Sequence, residues 1–92
     1  MSKQFDLHFS QCTSVEDIYG VIRQEMDLPD WFGNNLSAFW DGLTGMIEVP
    51  ATIIFHKNAK DKDLLAYIEQ LIAIARRAEN EEGLELTIIE KD

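Results

Sequence analysis

The sequence predicts an α/β fold, in which a small three-stranded parallel sheet packs with helices. Three short segments have the apolar pattern of strands, and segments with apolar residues at helical spacing separate them. Parallel strands need a crossover connection, which is usually a helix, so this alternation favours a parallel sheet with right-handed connections. A chain of 92 residues with 46% hydrophobic composition fits one globular domain covering residues 1–92.

The first strand is predicted at about residues 3–9, because apolar and polar residues alternate there. Residues 13–16, Thr-Ser-Val-Glu, have the form of a capping box, which indicates the start of a helix. Apolar residues at helical spacing continue to Met26. This helix should end before Leu28, because Pro29 disfavours helical geometry in the residue that precedes it.

A short second helix is predicted from four apolar residues that recur at i, i+3, i+4 and i+7 and form one stripe: Leu36, Phe39, Trp40 and Leu43. At about 100° per residue, the opposite side carries small residues around one anion, Asp41. The neighbours on that side are Asn34, Ala38 and Gly45, with Ser37 at its edge. Because Ala38, Gly42 and Gly45 lack bulk, the backbone of another protein could approach the Asp41 carboxylate.

Trp31 and Phe32 lie in a Pro- and Gly-bounded loop before this helix, where at least one ring should be hard to bury. A simpler interpretation also fits the segment. The Asp41 carboxylate is then only solvated, the glycines only end the helix, and both rings belong to the core. Gly42 lowers the stability of so short a helix, however, so a requirement other than helix propensity is expected to account for it.

The second half of the chain predicts a strand, a long helix and a strand. Residues 51–55 form a continuous apolar run, typical of a strand covered on both faces, and residues 84–89 form the last strand. Asp61 or Asp63 can cap the helix between them. Arg76 and Arg77 lie in its last turns, and Gly83 ends it. Six residues are predicted to be buried: Leu36, Leu43, Ile53, Ile54, Leu71 and Ile88.

The formal net charge is −9, from 17 acidic and 8 basic side chains. Such a surface repels nucleic acid and anionic membranes and attracts basic proteins, although acidity can also serve solubility alone. We therefore expect no nucleic-acid partner and no membrane partner. No segment of signal-peptide type follows Lys3, so we expect a cytoplasmic protein. The single cysteine, Cys12, agrees with a reducing compartment.

Residues that could carry out chemistry are sparse. His8 and His56 lie far apart in the sequence without a patterned partner, so we expect them to be structural rather than catalytic. The sequence contains no nucleophile motif, phosphate-binding loop or His/Cys metal spacing. The acidic cluster of Glu79, Glu81 and Glu82 lacks the alternating ligands and the glycine of a calcium loop. We therefore predict an interaction surface, and not an enzyme, a metal site or a cofactor.

The segment from residue 28 to residue 45 resembles the signature of the barstar family, the intracellular inhibitors of the extracellular ribonuclease barnase. That signature reads Leu-Pro, an aromatic pair, then Gly-x-Asn-Leu-x-Ala-x-Trp-Asp-x-Leu-Thr-Gly. It is carried here by Leu28, Pro29, Trp31, Phe32, Gly33, Asn35, Leu36, Ala38, Trp40, Asp41, Leu43, Thr44 and Gly45. The similarity continues from residues 48–50 to residues 82–89 and covers most of the chain. It implies the same three-stranded parallel sheet.

In that family, the aspartate that matches Asp41 enters the phosphate-binding pocket of the enzyme and imitates substrate phosphate. The resemblance therefore implies an acidic inhibitor, monomeric when free, that blocks the active site of a basic ribonuclease or related toxin. Seven further positions fall on the family's contact surface: Trp31, Gly33, Asn35, Trp40, Thr44, Gly45 and Met46. Trp31 would stack on active-site side chains of the partner, whereas periodicity places Trp40 in the core stripe.

Several positions depart from the family pattern. Ser37 stands where the family has a second interface aspartate, and Met46 where it has an interface tryptophan. A late acidic residue of the long helix aligns with Ala78, although Glu79 and Glu82 lie nearby. These departures imply a different nuclease target, or weaker binding to barnase. An acidic scaffold or regulatory module that binds a basic non-nuclease protein would need the same face, so this alternative stays open.

Overall fold

A computed structural model of the chain describes residues 3–81 and 83–92. Strand β1 (Lys3–His8) is followed by helix α1 (Val15–Glu25), helix α2 (Leu36–Gly45), strand β2 (Ala51–His56), helix α3 (Lys62–Glu81) and strand β3 (Leu86–Lys91). The predicted α/β fold is confirmed in its strands, its helices and their order. Within the described residues, no helix is both long enough and apolar enough to cross a membrane.

The three strands form one sheet in the order β1-β2-β3, and both strand pairs are parallel, as predicted. Strand β3 begins two residues later than the predicted 84–89 segment. The reason is a tight turn in which the Leu86 N–H donates to the Leu84 carbonyl, at 2.8 Å, so that Leu84 lies outside the ladder. The ladder begins where Ala51 of β2 faces Leu86.

The sheet has one covered face and one face that is largely open to solvent. Alternate residues on each strand point into the core, and they are Phe5, Leu7, Ala51, Ile53, Phe55, Leu86 and Ile88. On the other face Ile54 is also buried, but Thr52 and His56 are only half-buried and Ile89 is exposed. The prediction that both faces of β2 are covered is therefore confirmed at Ile54 but wrong at Thr52 and His56.

The two histidines, which the sequence left without partners, are neighbours on this second face. His8 lies opposite His56 in the β1–β2 register, and their rings stack with centroids 3.9 Å apart and 15° between the planes. Asp6 Oδ1 lies 2.9 Å from His56 Nε2. The hydrogen bonds from His56 and then from Gln4 hold the pKa of the Asp6 carboxyl below its usual range. The sequence alone could not show this contact, because the parallel register joins residues that are distant in the sequence.

Helix α1 is capped one residue later than the sequence pattern indicated. Ser14, rather than Thr13, is the N-cap, and its hydroxyl accepts a hydrogen bond from the Asp17 N–H at 3.1 Å. The Asp17 carboxylate in turn accepts from both the N–H and the hydroxyl of Thr13, at 2.9 Å each. These bonds hold the pKa of the Asp17 carboxyl below its usual range. Ser14 thus makes the first bond of a capping box, whereas the Asp17 carboxylate bonds back to Thr13, the residue before the cap.

Helix α3 is capped by Asp61, the first of the two predicted candidates. Its carboxylate accepts from the N–H of Asp63 at 2.7 Å and from that of Leu64 at 3.3 Å. The helix extends to Glu81, so Arg76 and Arg77 lie before the last turn rather than in it. Just beyond the helix, Gly83 has φ = +64°, a left-handed conformation that favours glycine at helix ends.

The core includes five of the six residues that the sequence predicted to be buried: Leu43, Ile53, Ile54, Leu71 and Ile88. The sixth, Leu36, is only half-buried, and this prediction is wrong. As the first residue of α2, Leu36 reaches the groove between α2 and α3, where one side of its side chain meets solvent.

Candidate functional site

Helix α2 begins at a side-chain cap supplied by one of the predicted contact residues. The Asn35 side-chain oxygen accepts from the Ala38 N–H at 2.8 Å, which satisfies an otherwise free N–H of the first turn. Asn34 precedes the helix, and its side-chain oxygen accepts from the Arg23 guanidinium of α1. The prediction that Asn34 lies on the outward face of the helix is wrong, because the helix starts only after Asn35.

The outward face of α2 carries Asp41 in the exposed position that the sequence predicted. Ser37 and Gly45 are also exposed, and Ala38 is half-buried. A Cβ built on Gly45 would meet no atom within 4 Å, so open space surrounds this end of the face. The Asp41 carboxylate is therefore accessible on a surface where neighbouring side chains do not block close approach.

Gly42, in contrast, faces inward, and its prediction as part of the open face is wrong. A Cβ at this position would lie 3.0 Å from Cε1 of Phe32 and 3.8 Å from Cδ1 of Leu28. The glycine therefore lets the loop before α2 pack directly on the helix backbone. This close approach explains a residue with low helix propensity inside a ten-residue helix.

That loop separates its two aromatic rings. Phe32 is buried against Gly42, whereas Trp31 is 77% exposed, which confirms that one ring is hard to bury. Gly33 follows, and a Cβ there would meet Nδ2 of Asn35 at 3.1 Å and Cβ of Ala38 at 3.4 Å. The loop thus lies close to the first turn of α2. The exposed Trp31 ring therefore offers a large apolar contact surface beside the helix face that carries Asp41.

A groove of about 400 Å³ lies at the surface between α2 and α3, and its lining comprises Leu36, Ser37, Trp40, Asp41, Ile74 and Arg77. The Arg77 guanidinium carbon lies 5.0 Å from the centre of the Trp40 ring, within the range of a cation–π contact. Arg77 Nε also donates to Glu81 Oε2 at 3.0 Å. Trp40 is half-buried, so it belongs partly to the core and partly to the groove.

The sequence interpretation did not include Ile74 and Arg77 in the site. Both lie on α3, three residues apart and therefore on one face of that helix. This spacing was visible in the sequence. The missing information was that this face of α3 packs next to α2, which is a tertiary contact between two distant segments.

The remaining predicted contact residues are distributed around the end of α2. The Thr44 hydroxyl donates to the Trp40 carbonyl at 2.9 Å, so it is already engaged within the helix. Met46 is the C-cap and is exposed. Glu79 is half-buried on α3 and does not line the groove. Glu82, the other predicted acidic contact, lies outside the described residues.

Residues 2–89 match the family model described as Barstar (barnase inhibitor). The chain is also similar to a protein of Bacillus subtilis (strain 168) named "Putative ribonuclease inhibitor YrdF", with 29% identity over 77 residues. The aligned region is 83% of this chain and 85% of that protein. The family match spans nearly all of the chain, including β1, all three helices, and the loop and helix that carry Trp31 and Asp41. This chain belongs to the barstar family.

Proposed function

We propose that this protein is an intracellular inhibitor of a basic ribonuclease or a related toxin, and that it blocks the enzyme's active site with α2 and the loop before it. The observation that carries the proposal is the exposed Asp41 carboxylate on a face of small residues, in a chain of the barstar family. The relative named as a ribonuclease inhibitor supports the same kind of target.

The physical basis is substitution of one anion for another. A ribonuclease active site must hold the phosphates of its substrate, and basic side chains do so through charge-assisted hydrogen bonds. A carboxylate that enters the same pocket makes similar bonds, and its carrier protein then excludes substrate. Asp41 suits this role because Ser37 and Gly45 beside it leave room for the partner's surface. Inhibition of this kind requires no catalytic group in the inhibitor.

Trp31 supplies the second part of the proposed interface. A tryptophan with 77% of its surface exposed can bury a large apolar area on binding, at a small cost in side-chain entropy. Together, a central charged residue and an aromatic anchor correspond to the few residues that usually dominate the affinity of an interface. Long-range attraction adds to association, since a protein of net charge −9 draws in a basic partner.

The groove residues bear on which ribonuclease is bound. Arg77 places a cation at the edge of this acidic face, and Ser37 is neutral. The face is therefore less negative around Asp41 than the net charge suggests. We infer a target whose pocket presents fewer cations than that of barnase around the residue that receives Asp41.

The proposed place of action is the cytoplasm, and the proposed state of the free protein is a monomer. The buried free thiol of Cys12 fits a reducing compartment, where unpaired cysteines persist. An inhibitor held in the cytoplasm would protect the cell's own RNA from a nuclease or toxin that the same cell makes. This is the role of an immunity protein.

The experiment is affinity capture from cell extract and culture medium with wild-type protein and with Asp41→Ala, followed by a ribonuclease assay on the captured fractions. We expect ribonuclease activity to be recovered with the wild type, to be inhibited by added wild-type protein, and to be lost with Asp41→Ala. Glu25→Ala, which removes an exposed carboxylate at the end of α1, is the matched control and should behave as wild type. Capture of a basic protein that is neither a nuclease nor a toxin would support the scaffold alternative and refute this proposal.

A further inference from the structure

A second cluster of functional groups lies on the open face of the sheet. It comprises Asp6 and His8 of β1 and His56 of β2. The register places His8 and His56 directly opposite each other, and Asp6 lies two residues before His8 on the same face. One ligand atom from each of the three side chains lies within 4.8 Å of the other two.

The spacing of Asp6 and His56 is close to that of two ligands of one metal ion. With metal–ligand distances of about 2.0–2.2 Å, two ligand atoms in a tetrahedral zinc site lie roughly 3.3 Å apart. Asp6 Oδ1 and His56 Nε2 are now 2.9 Å apart, so a small separation of the two would admit an ion. His8 is exposed, so its ring can leave the stack with His56 and turn towards such an ion without disturbing the core.

We propose that Asp6, His8 and His56 bind one divalent transition-metal ion of the zinc type. Imidazole nitrogens favour zinc, copper and nickel over calcium and magnesium, and two of them with one carboxylate form a familiar zinc donor set. Three protein ligands leave a fourth position for water or for a group from outside. The ion would join the edge strand β1 to the central strand β2.

Neighbouring groups support the carboxylate and leave the site accessible. The Gln4 side-chain amide donates to Asp6 Oδ2 at 3.0 Å, which orients the carboxylate and leaves Oδ1 towards His56. Lys91 of β3 lies opposite His56 in the register and places a cation on this face. Because the Lys91 side chain is exposed and long, its ammonium can move away from a bound ion.

The metal site and the proposed inhibitory face are separate. Asp6, His8 and His56 project from the sheet face opposite to the core residues on the same strands, and none of them lines the α2–α3 groove. Removal of the histidines should therefore leave nuclease inhibition unchanged. Failure of either proposal does not decide the other.

The test is isothermal titration calorimetry of the untagged protein with zinc chloride, with cobalt(II) absorption as a spectroscopic measure of the ligands. We expect one ion per chain. His8→Ala and His56→Ala should each weaken binding by at least about 10–100-fold, the loss seen when even indirect supports of a metal are removed. Asp6→Asn should also weaken it. Glu25→Gln removes an exposed acidic group elsewhere and should leave the affinity unchanged.

Thermal unfolding provides a second measurement. Zinc should raise the Tm of the wild type, because an ion that binds only the folded state stabilises it, and should not raise that of the double variant His8→Ala/His56→Ala. Circular dichroism checks that the variants are folded. If His8→Ala does not fold, His8→Gln replaces it. Absence of one-to-one binding in the wild type, or unchanged affinity in the histidine variants, would overturn the proposal.

Discussion

Replacement of Asp41 by alanine should weaken binding without weakening the fold. In the free protein the carboxylate is exposed on the second half of α2. In a complex of the proposed kind, the same carboxylate pairs with cations that the interface shields from water. Its removal then leaves those cations buried without a partner.

The expected loss of affinity follows from that asymmetry. Truncation of one member of a buried interfacial charge pair costs about 2–5 kcal/mol. At about 1.4 kcal/mol per factor of ten, this is a roughly 30- to 4,000-fold rise in Kd. Ser37→Ala, on the same face, should cost no more than about 0.5–1.5 kcal/mol, because a neutral hydroxyl contributes only that much even when it is bonded.

Folding stability should be unchanged or slightly higher in Asp41→Ala. Alanine has a higher helix propensity than aspartate, by up to about 0.7 kcal/mol. The free energy of unfolding should therefore not fall when Asp41 is replaced.

The measurements are calorimetric affinity for the captured ribonuclease and the urea midpoint of unfolding, for wild type, Asp41→Ala and Glu25→Ala. Unchanged affinity in Asp41→Ala would remove this carboxylate from the mechanism. A lower urea midpoint that accounts for the whole loss of binding would show that Asp41 acts on the fold, and would refute a role confined to the interface.

Three further predictions follow from the packing and the charges. Gly42→Ala should be less stable than Gly45→Ala by about 1–3 kcal/mol in urea unfolding, because the methyl added at residue 42 meets the Phe32 ring and the one at residue 45 meets nothing. Equal urea midpoints for the two variants would contradict this. The free energy of unfolding should fall as pH drops below about 4. The hydrogen bonds from Thr13 lower the folded-state pKa of the Asp17 carboxyl, and they are lost when that carboxyl is protonated. Asp17→Asn should therefore weaken the pH dependence of stability. Association with the proposed basic partner should slow as salt rises, and a flat stopped-flow profile would exclude steering by the net charge.

The sequence by itself determined the elements and the exposure of two residues of the proposed interface. Period-two and period-3.6 patterns are local properties of the chain, so they predicted all three strands and all three helices, with errors of one or two residues at their ends. The exposures of Asp41 and Trp31 were also predictable. The first follows from the angle between residues of one helix, and the second from two large rings next to each other in a short loop.

Only the tertiary structure decided which surfaces meet. Gly42 faces inward because Phe32 packs on it from the preceding loop, and Trp40 is half-buried because Arg77 of α3 covers part of its ring. His8 and His56 become neighbours through the register of two parallel strands joined by two helices. Periodicity fixes the direction in which a side chain leaves its own helix or strand, but the segment that it meets depends on how the whole chain packs.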